Sequence, residues 1–399
     1  MSDRRAVRRY ATARNAAAWL IAAISATFAT SCRPSDEHGA SRDAARGIGG
    51  TTGSAQDVDV RIRVRGDIVL AGTLARPEGA GRRQVPVVVL IGGSGPQDRD
   101  GSRVELAGYQ PFRDLAASLA ASGIASLRLD DRGTGASTGR FDEATTLDFG
   151  DDIVAVLSWL RARTDVDGAH PALLGHSEGA LVALLAASRD SSVSALVLLG
   201  GPSRTGRELA RWQRAALVAS DGAVFDPTQR KDLLSRAEND AERAAADNPW
   251  LRVWFSLDPR TIARTTRAPA LVLHGHNDGQ VPVEQSAELA DVLSARRVKA
   301  SAEQEGAAPP VELRRFPSTD HLFLEDYDGD PRSYVRLRSR TLRADVRDAI
   351  TSWLRRRFDA DDSHRVHVAK GAAMSSKHVR SRASEEKTCA PEEKSCAPE

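Results

Sequence analysis

Short apolar runs alternate with stretches of helical periodicity between Val58 and Phe358, and no other property of the chain restricts its fold so tightly. Runs this short suit strands buried on both faces, and the helices between them supply the crossovers that parallel strands need. The pattern predicts such strands at Val85–Ile91, Ile124–Leu129, Ala172–Leu174, Ala195–Leu199, Ala270–Leu273 and Val311–Phe316. Val58–Arg65 alternates with period two and continues across Gly66-Asp67 into Ile68–Ala75, which predicts an antiparallel hairpin at one edge. Helices are expected at Tyr109–Ser122, Phe149–Arg163, Gly179–Ala187, Val283–Ser294 and Arg343–Phe358. The fold class is therefore α/β, with a mostly parallel eight-stranded sheet flanked by helices. Residues 201–267 break the alternation; helical in pattern and set between two strands, they read as a small inserted cap.

Outside that body the chain changes character. Arg4, Arg5, Arg8, Arg9 and Arg14 precede an apolar run from Ala16 to Ala29, shorter than the about 20 residues of a transmembrane helix but suited to a signal peptide. The following Ala29-Thr30-Ser31-Cys32 is similar to the lipobox of bacterial lipoproteins, although Ala29 stands where leucine is commoner. Cys32 is thus a candidate lipidation site and membrane anchor, and an ordinary signal peptide with a chance cysteine is the alternative. The expected location is the cell envelope, with secretion or a periplasmic location as the alternative; Arg33 in place of an aspartate favours the outer membrane where there is one. Residues 1–31 read as signal peptide, 32–57 as flexible linker, 58–358 as the folded body and 359–399 as a disordered tail. Cys389 and Cys396 sit in that tail, and three cysteines make neither a disulfide framework nor a four-cysteine zinc site. A net charge of +2 gives no pull toward nucleic acid, and 41% hydrophobic residues suffice for a sizeable core.

Gly175-His176-Ser177-Glu178-Gly179 carries the chemistry. The pentapeptide alone is a weak signal, but it lies between an apolar strand and an Ala/Leu-rich helix, where a nucleophilic serine on a sharp turn needs glycine on both sides. A serine hydroxyl needs a base, and the base an orienting acid. In the α/β-hydrolase fold these follow the serine in the order acid, then histidine. Asp278 lies in the loop after Ala270–Leu273, and His321 in the loop after Val311–Phe316, so both arrive at the same sheet edge. The run His274-Gly275-His276-Asn277-Asp278 also admits a metal reading, since His-x-His-x-Asp opens the ligand set of binuclear metallohydrolases; here Gly279 replaces the histidine that normally follows. The oxyanion hole is expected from the backbone N–H groups of Glu178 and Ser94, the latter in the glycine-dense loop Gly92–Gly101.

Gly93-Ser94-Gly95-Pro96, Asp98-Arg99-Asp100-Gly101, Asp131-Arg132-Gly133, the serine pentapeptide and His274-Gly275 with Asp278 together resemble a bacterial family of α/β-hydrolase carboxylesterases related to serine aminopeptidase-like hydrolases. The resemblance spans about Val58 to Phe358 and implies an esterase that needs no cofactor and takes a small-molecule ester. Amide or peptide hydrolysis uses the same three groups and stays open, as does a non-catalytic binding protein on the same scaffold. Asp131 to Ser137 reads as a scaffold turn, with Arg132 as a partner for Glu178. In the cap, Trp250 and Trp254 are four residues apart and share a helix face. Either that face only packs the cap, or Trp254 or Phe255 walls a small acyl pocket that favours short-acyl esters.

Overall fold

The computed structural model describes residues 55–103, 106–220, 226–296 and 310–360; the signal segment, Cys32 and the cysteine-bearing tail lie outside the described residues. The first two strands, β1 (Ala55–Arg63) and β2 (Val69–Pro77), pair antiparallel around the turn at Gly66. β1 already takes in Ala55–Asp57, assigned above to the linker, because edge pairing uses backbone groups and does not require apolar side chains.

Six parallel strands follow: β3 (Val87–Ile91), β4 (Ala125–Leu129), β5 (Ala172–His176), β6 (Ala195–Leu199), β7 (Ala270–Gly275) and β8 (Val311–Phe316). The sheet order is β1-β2-β4-β3-β5-β6-β7-β8, so the hairpin forms one edge and β8 the other. β3, β5, β6 and β7 are buried along their whole length, as expected of strands covered on both faces, whereas edge strand β8 carries half-buried Glu312 and Arg314 and exposed Arg315.

The flanking helices are α1 (Pro111–Ala121), α2 (Thr146–Arg161), α3 (Glu178–Arg189) and, after the cap, α8 (Glu284–Ser294). Thr145 and Asp148 close a reciprocal capping box that starts α2. Every residue of α3 from Glu178 to Ala187 is buried, which explains an Ala/Leu-rich helix without a polar stripe. The last described helix spans residues 344–360. Among the described residues no helix is long and apolar enough to cross a membrane.

Between β6 and β7 lie α4 (Gly206–Ser220), α5 (Pro227–Asp247), α6 (Pro249–Ser256) and α7 (Pro259–Ala263). The Asp226 side chain caps α5 and the Asn248 side chain caps α6. Leu209, Ala241, Ala245, Trp250, Leu251, Trp254 and Phe255 form a small separate core, closed on the sheet side by Val281. α7 is different: its Ala263 joins the main core, so this last turn belongs to the body rather than to the cap.

Candidate active site

Ser177 sits between the end of β5 and the first turn of α3 with φ 56° and ψ −121°, a conformation that a residue with a side chain adopts only when its surroundings impose it. Here backbone proximity imposes it. A Cβ on Gly175 would lie 2.1 Å from the Gly179 carbonyl oxygen, and one on Gly179 would lie 2.3 Å from that of Gly92. The turn is pinned by Ser177 N–H donating to the Leu199 carbonyl at 2.8 Å. Although Ser177 is the N-cap of α3, its hydroxyl makes no capping bond. The positive end of the helix dipole thus lies beside a half-buried hydroxyl that no cap consumes.

The loop after β7 brings Asp278 to the same edge, and the loop after β8 brings His321. His321 Nδ1 donates to Asp278 Oδ2 at 2.7 Å in a fully buried pair. The other carboxylate oxygen, Oδ1, accepts the backbone N–H groups of Gln280 and Val281 at 2.8 Å each. His274 Nε2 lies 3.1 Å from Asp278 Oδ2 and 3.0 Å from the Val281 carbonyl, so it supports the acid from beneath. Desolvation drives the Asp278 pKa up, but the attraction and hydrogen bonds of His321 and His274 outweigh it and hold the carboxyl well below the usual range. His321 Nε2 is buried and bonds to no other group of the described chain, so no hydrogen bond links it to Ser177 here. Catalytic contacts of this kind often tighten only around substrate.

His176, just before the serine, tilts its ring against His321 with centroids 4.8 Å apart and bonds the His321 carbonyl at 2.8 Å. On the far side, a Cβ on Gly200 would lie 3.2 Å from His321 Nδ1 and 3.5 Å from Asp278 Oδ2. The Gly92–Gly101 loop runs past the serine closely enough that a Cβ on Gly93 would stand 3.1 Å from that of Ser177.

Glu178 is buried and shares one oxygen, Oε1, between Thr146 Oγ1 at 2.6 Å and Trp250 Nε1 at 2.8 Å. Burial pushes its pKa up. The expected Arg132 partnership is not formed, because Arg132 turns to the buried Asp152, bonding it through Nε and through Nη2 at 2.7 Å. The turn after β4 instead anchors the glycine loop: Asp131 accepts Gln97 N–H at 2.9 Å, and Asp130 accepts Arg99 N–H at 2.8 Å.

The structure therefore gathers Ser177, Asp278, His321, Glu178 and Ser94 at one sheet edge. Trp254 and Phe255 are 7% and 4% exposed in the cap core, where Trp254 stacks on Trp250 at 5.6 Å and 14°. The sequence pattern missed the supporting roles of His176, Gly200, Thr146 and Trp250, and it weighed His274 only as a metal ligand. Its signal was position: His274 is the penultimate residue of β7, four residues before Asp278. Among the described residues no group of three His, Cys, Asp or Glu side chains could hold a metal ion. Beside His176 an indentation of about 340 Å³ is lined by Gln97, Arg103, Tyr109, Phe112 and Phe323; Ser177 does not line it.

Comparison with known proteins fits this architecture. The esterase EstD of Thermotoga maritima is 26% identical over 272 residues, which cover 64% of each chain, so this chain spans less than two thirds of that relative. Among solved structures, DcsB in complex with a substrate analogue superposes with a TM-score of 0.50 at 15% identity, over 76% of this chain and 99% of that one. Est1E from Butyrivibrio proteoclasticus, with ferulic acid bound, gives 0.48 at 19% identity over 75% and 99%. At such identities the likeness to DcsB concerns the α/β-hydrolase fold alone. The family described as Serine aminopeptidase, S33 (Hydrolase_4) matches residues 108–307, a span that holds Ser177 and Asp278 and stops before His321. Half of the chain is matched, with the strand, strained serine and helix inside the match, and the chain belongs to that family.

Proposed function

We propose that this chain is a serine hydrolase of carboxylic esters that works through an acyl-enzyme. The observation that carries the reading is the buried His321–Asp278 pair at the sheet edge that also presents Ser177 on a strained turn. With Nδ1–H held by Asp278, the His321 lone pair is on Nε2, which accepts the serine proton as Oγ attacks the ester carbonyl. Negative charge on the carbonyl oxygen is met by the N–H groups of Glu178 and Ser94 and by the α3 dipole. The imidazolium returns its proton to the departing alkoxide, and water repeats the sequence to release the acid. In support, the curated relative carries the name esterase.

The cap bears on substrate size. α6 hangs from the residue after the serine through Trp250, and α4 holds the acid loop through Gln213 Nε2, which donates to the Gln280 carbonyl at 2.8 Å. In this reading the aromatic side of α6, with Trp254 and Phe255, bounds the acyl side of the site and favours short chains. Cys32 carries the lipid that holds the protein at a membrane of the cell envelope.

A second reading, amide or peptide hydrolysis, is favoured by the family description. Purified protein offered p-nitrophenyl esters of increasing chain length and aminoacyl-arylamides separates the two. Short-acyl ester turnover, with fluorophosphonate labelling of wild type and none of Ser177→Ala, is the expected result. Faster arylamide turnover supports the second reading, and Ser177→Ala activity within about tenfold of wild type overturns both. In a native host, Cys32→Ser should lose fatty-acid labelling; equal labelling of both forms removes the lipid anchor.

A further inference from the structure

Glu178 follows the serine, yet its side chain turns inward and meets two separate parts of the fold. Thr146 is the first residue of α2, and Trp250 lies in the cap helix α6. Both bonds, at 2.6 and 2.8 Å, fall on a single carboxyl oxygen in a buried setting, where each is worth more than at the surface. Among the described residues no cation bonds the group: Arg132, the partner expected from the sequence, is held by Asp152. An ion pair is thus not what keeps a carboxyl in this place. Trp250 adds rigidity, because its ring is stacked on Trp254 within the cap core and its N–H direction is fixed by that packing.

We propose that the Glu178 side chain is a positioning group that latches the cap helix α6 and the start of α2 to the serine elbow, and so fixes the Glu178 backbone N–H donor that faces the reacting carbonyl oxygen. This rests on the ester-hydrolase reading above. One carboxyl oxygen holds both Thr146 and Trp250, so cap placement and the direction of that donor depend on one group. Burial raises the pKa of Glu178, and glutamine keeps its shape and its acceptor oxygen.

The test compares steady-state hydrolysis of p-nitrophenyl acetate by wild type, Glu178→Ala, Glu178→Gln, Trp250→Phe and Thr146→Val. Each protein is checked for folding by circular dichroism and for accessible serine by fluorophosphonate labelling. Glu178→Ala should lower kcat about 10- to 100-fold, less than outright loss of an oxyanion donor, with KM within about threefold. Glu178→Gln should recover to within about threefold of wild type, while Trp250→Phe and Thr146→Val, which each remove one bond, should lose about 3- to 10-fold. If Glu178→Ala does not fold, the two single-bond variants decide. Folded variants with wild-type kcat, or a Glu178→Gln as impaired as Glu178→Ala, overturn the latch and leave the ester-hydrolase reading standing. A wild type that neither turns over esters nor takes the probe overturns both.

Discussion

The His176 ring reaches across 145 residues of sequence to the backbone of His321: its Nε2 lies 2.8 Å from the His321 carbonyl oxygen. A carbonyl can only accept, so Nε2 carries the proton. Burial, and then the neighbouring His321, hold the His176 pKa down at about 3, so the ring stays neutral and the bond persists over the working pH range. His176→Ala should lower kcat about tenfold with little change in KM, because the loop that carries the base loses its tether. Stopped-flow acylation rates measured beside thermal melts separate this from simple loss of fold.

Gly200 has φ 56°, and an added methyl group there would meet the His321–Asp278 pair. Gly200→Ala should cost about 1–2 kcal/mol for the backbone alone and displace the imidazole. Activity should fall at least tenfold further than the change in folded fraction explains, as read by kcat normalised to active-site titration.

Asp278 and Asp320 are both buried acids beside His321, but they should behave in opposite ways. Asp278→Asn should reduce kcat about 10³- to 10⁴-fold, since the base loses its orienting charge. Asp320 accepts Leu324 N–H at 2.8 Å through Oδ1, while its buried Oδ2 has no partner in the described chain. Desolvation pushes it up to about 7, and the nearby Asp326 and Asp278 charges add to this. A carboxyl raised above its unfolded value of about 3.9 stabilises the fold when protonated and loses that contribution as pH rises through the folded value. Asp320→Asn should therefore raise the melting temperature at pH 8 by several degrees relative to wild type and have little effect at pH 5, with hydrolysis retained. An inactive Asp320→Asn beside an active Asp278→Asn would reverse the assignment of the acid.

Acid should also silence the enzyme reversibly. Protonated His321 cannot accept from Ser177, whereas Asp278, held below the usual carboxylate range, stays ionised. The acid limb of kcat/KM should therefore follow a single proton. A profile flat from neutral to mildly acidic pH contradicts the role given to His321.

Arg132 and Asp152 are buried and bonded through two guanidinium nitrogens. Arg132→Met should destabilise by about 3–5 kcal/mol because it strands the carboxylate, and Arg132→Met with Asp152→Leu should recover much of the loss. Urea titration of the single and double variants measures it.

The strand pattern was legible because the central strands are apolar over most of their length, and seven of the eight strands fall within two residues of their expected limits. Asp278 and His321 were legible for a second reason: each follows a recognisable strand, and the fold fixes their order. The partners of Glu178 were not. Thr146 and Trp250 are 32 and 72 residues away from it, and Arg132 was preferred because it bore the opposite charge. The structure satisfies the carboxyl with neutral donors and gives Arg132 to Asp152, one α2 turn beyond Asp148. Trp254 and Phe255 show the limit of a face argument. Spacing placed Trp250 and Trp254 together, but only packing shows that Trp250 points its N–H at the elbow while its neighbour fills the cap core.

The contact of Gly175, Gly179 and Gly92 bears on how the protein can vary. Strand end, helix start and loop approach until main-chain atoms touch, and no rearrangement of side chains can make room, because the obstructing atoms are carbonyl groups. In a saturation library selected for hydrolysis, Gly175 and Gly179 should each admit a single amino acid, while Leu173 or Leu184 nearby should admit several apolar ones. Gly175 and Gly179 then behave as one heritable unit: a substitution in either could be tolerated only after the loop, strand or helix had moved, and such a move would take Ser177 with it.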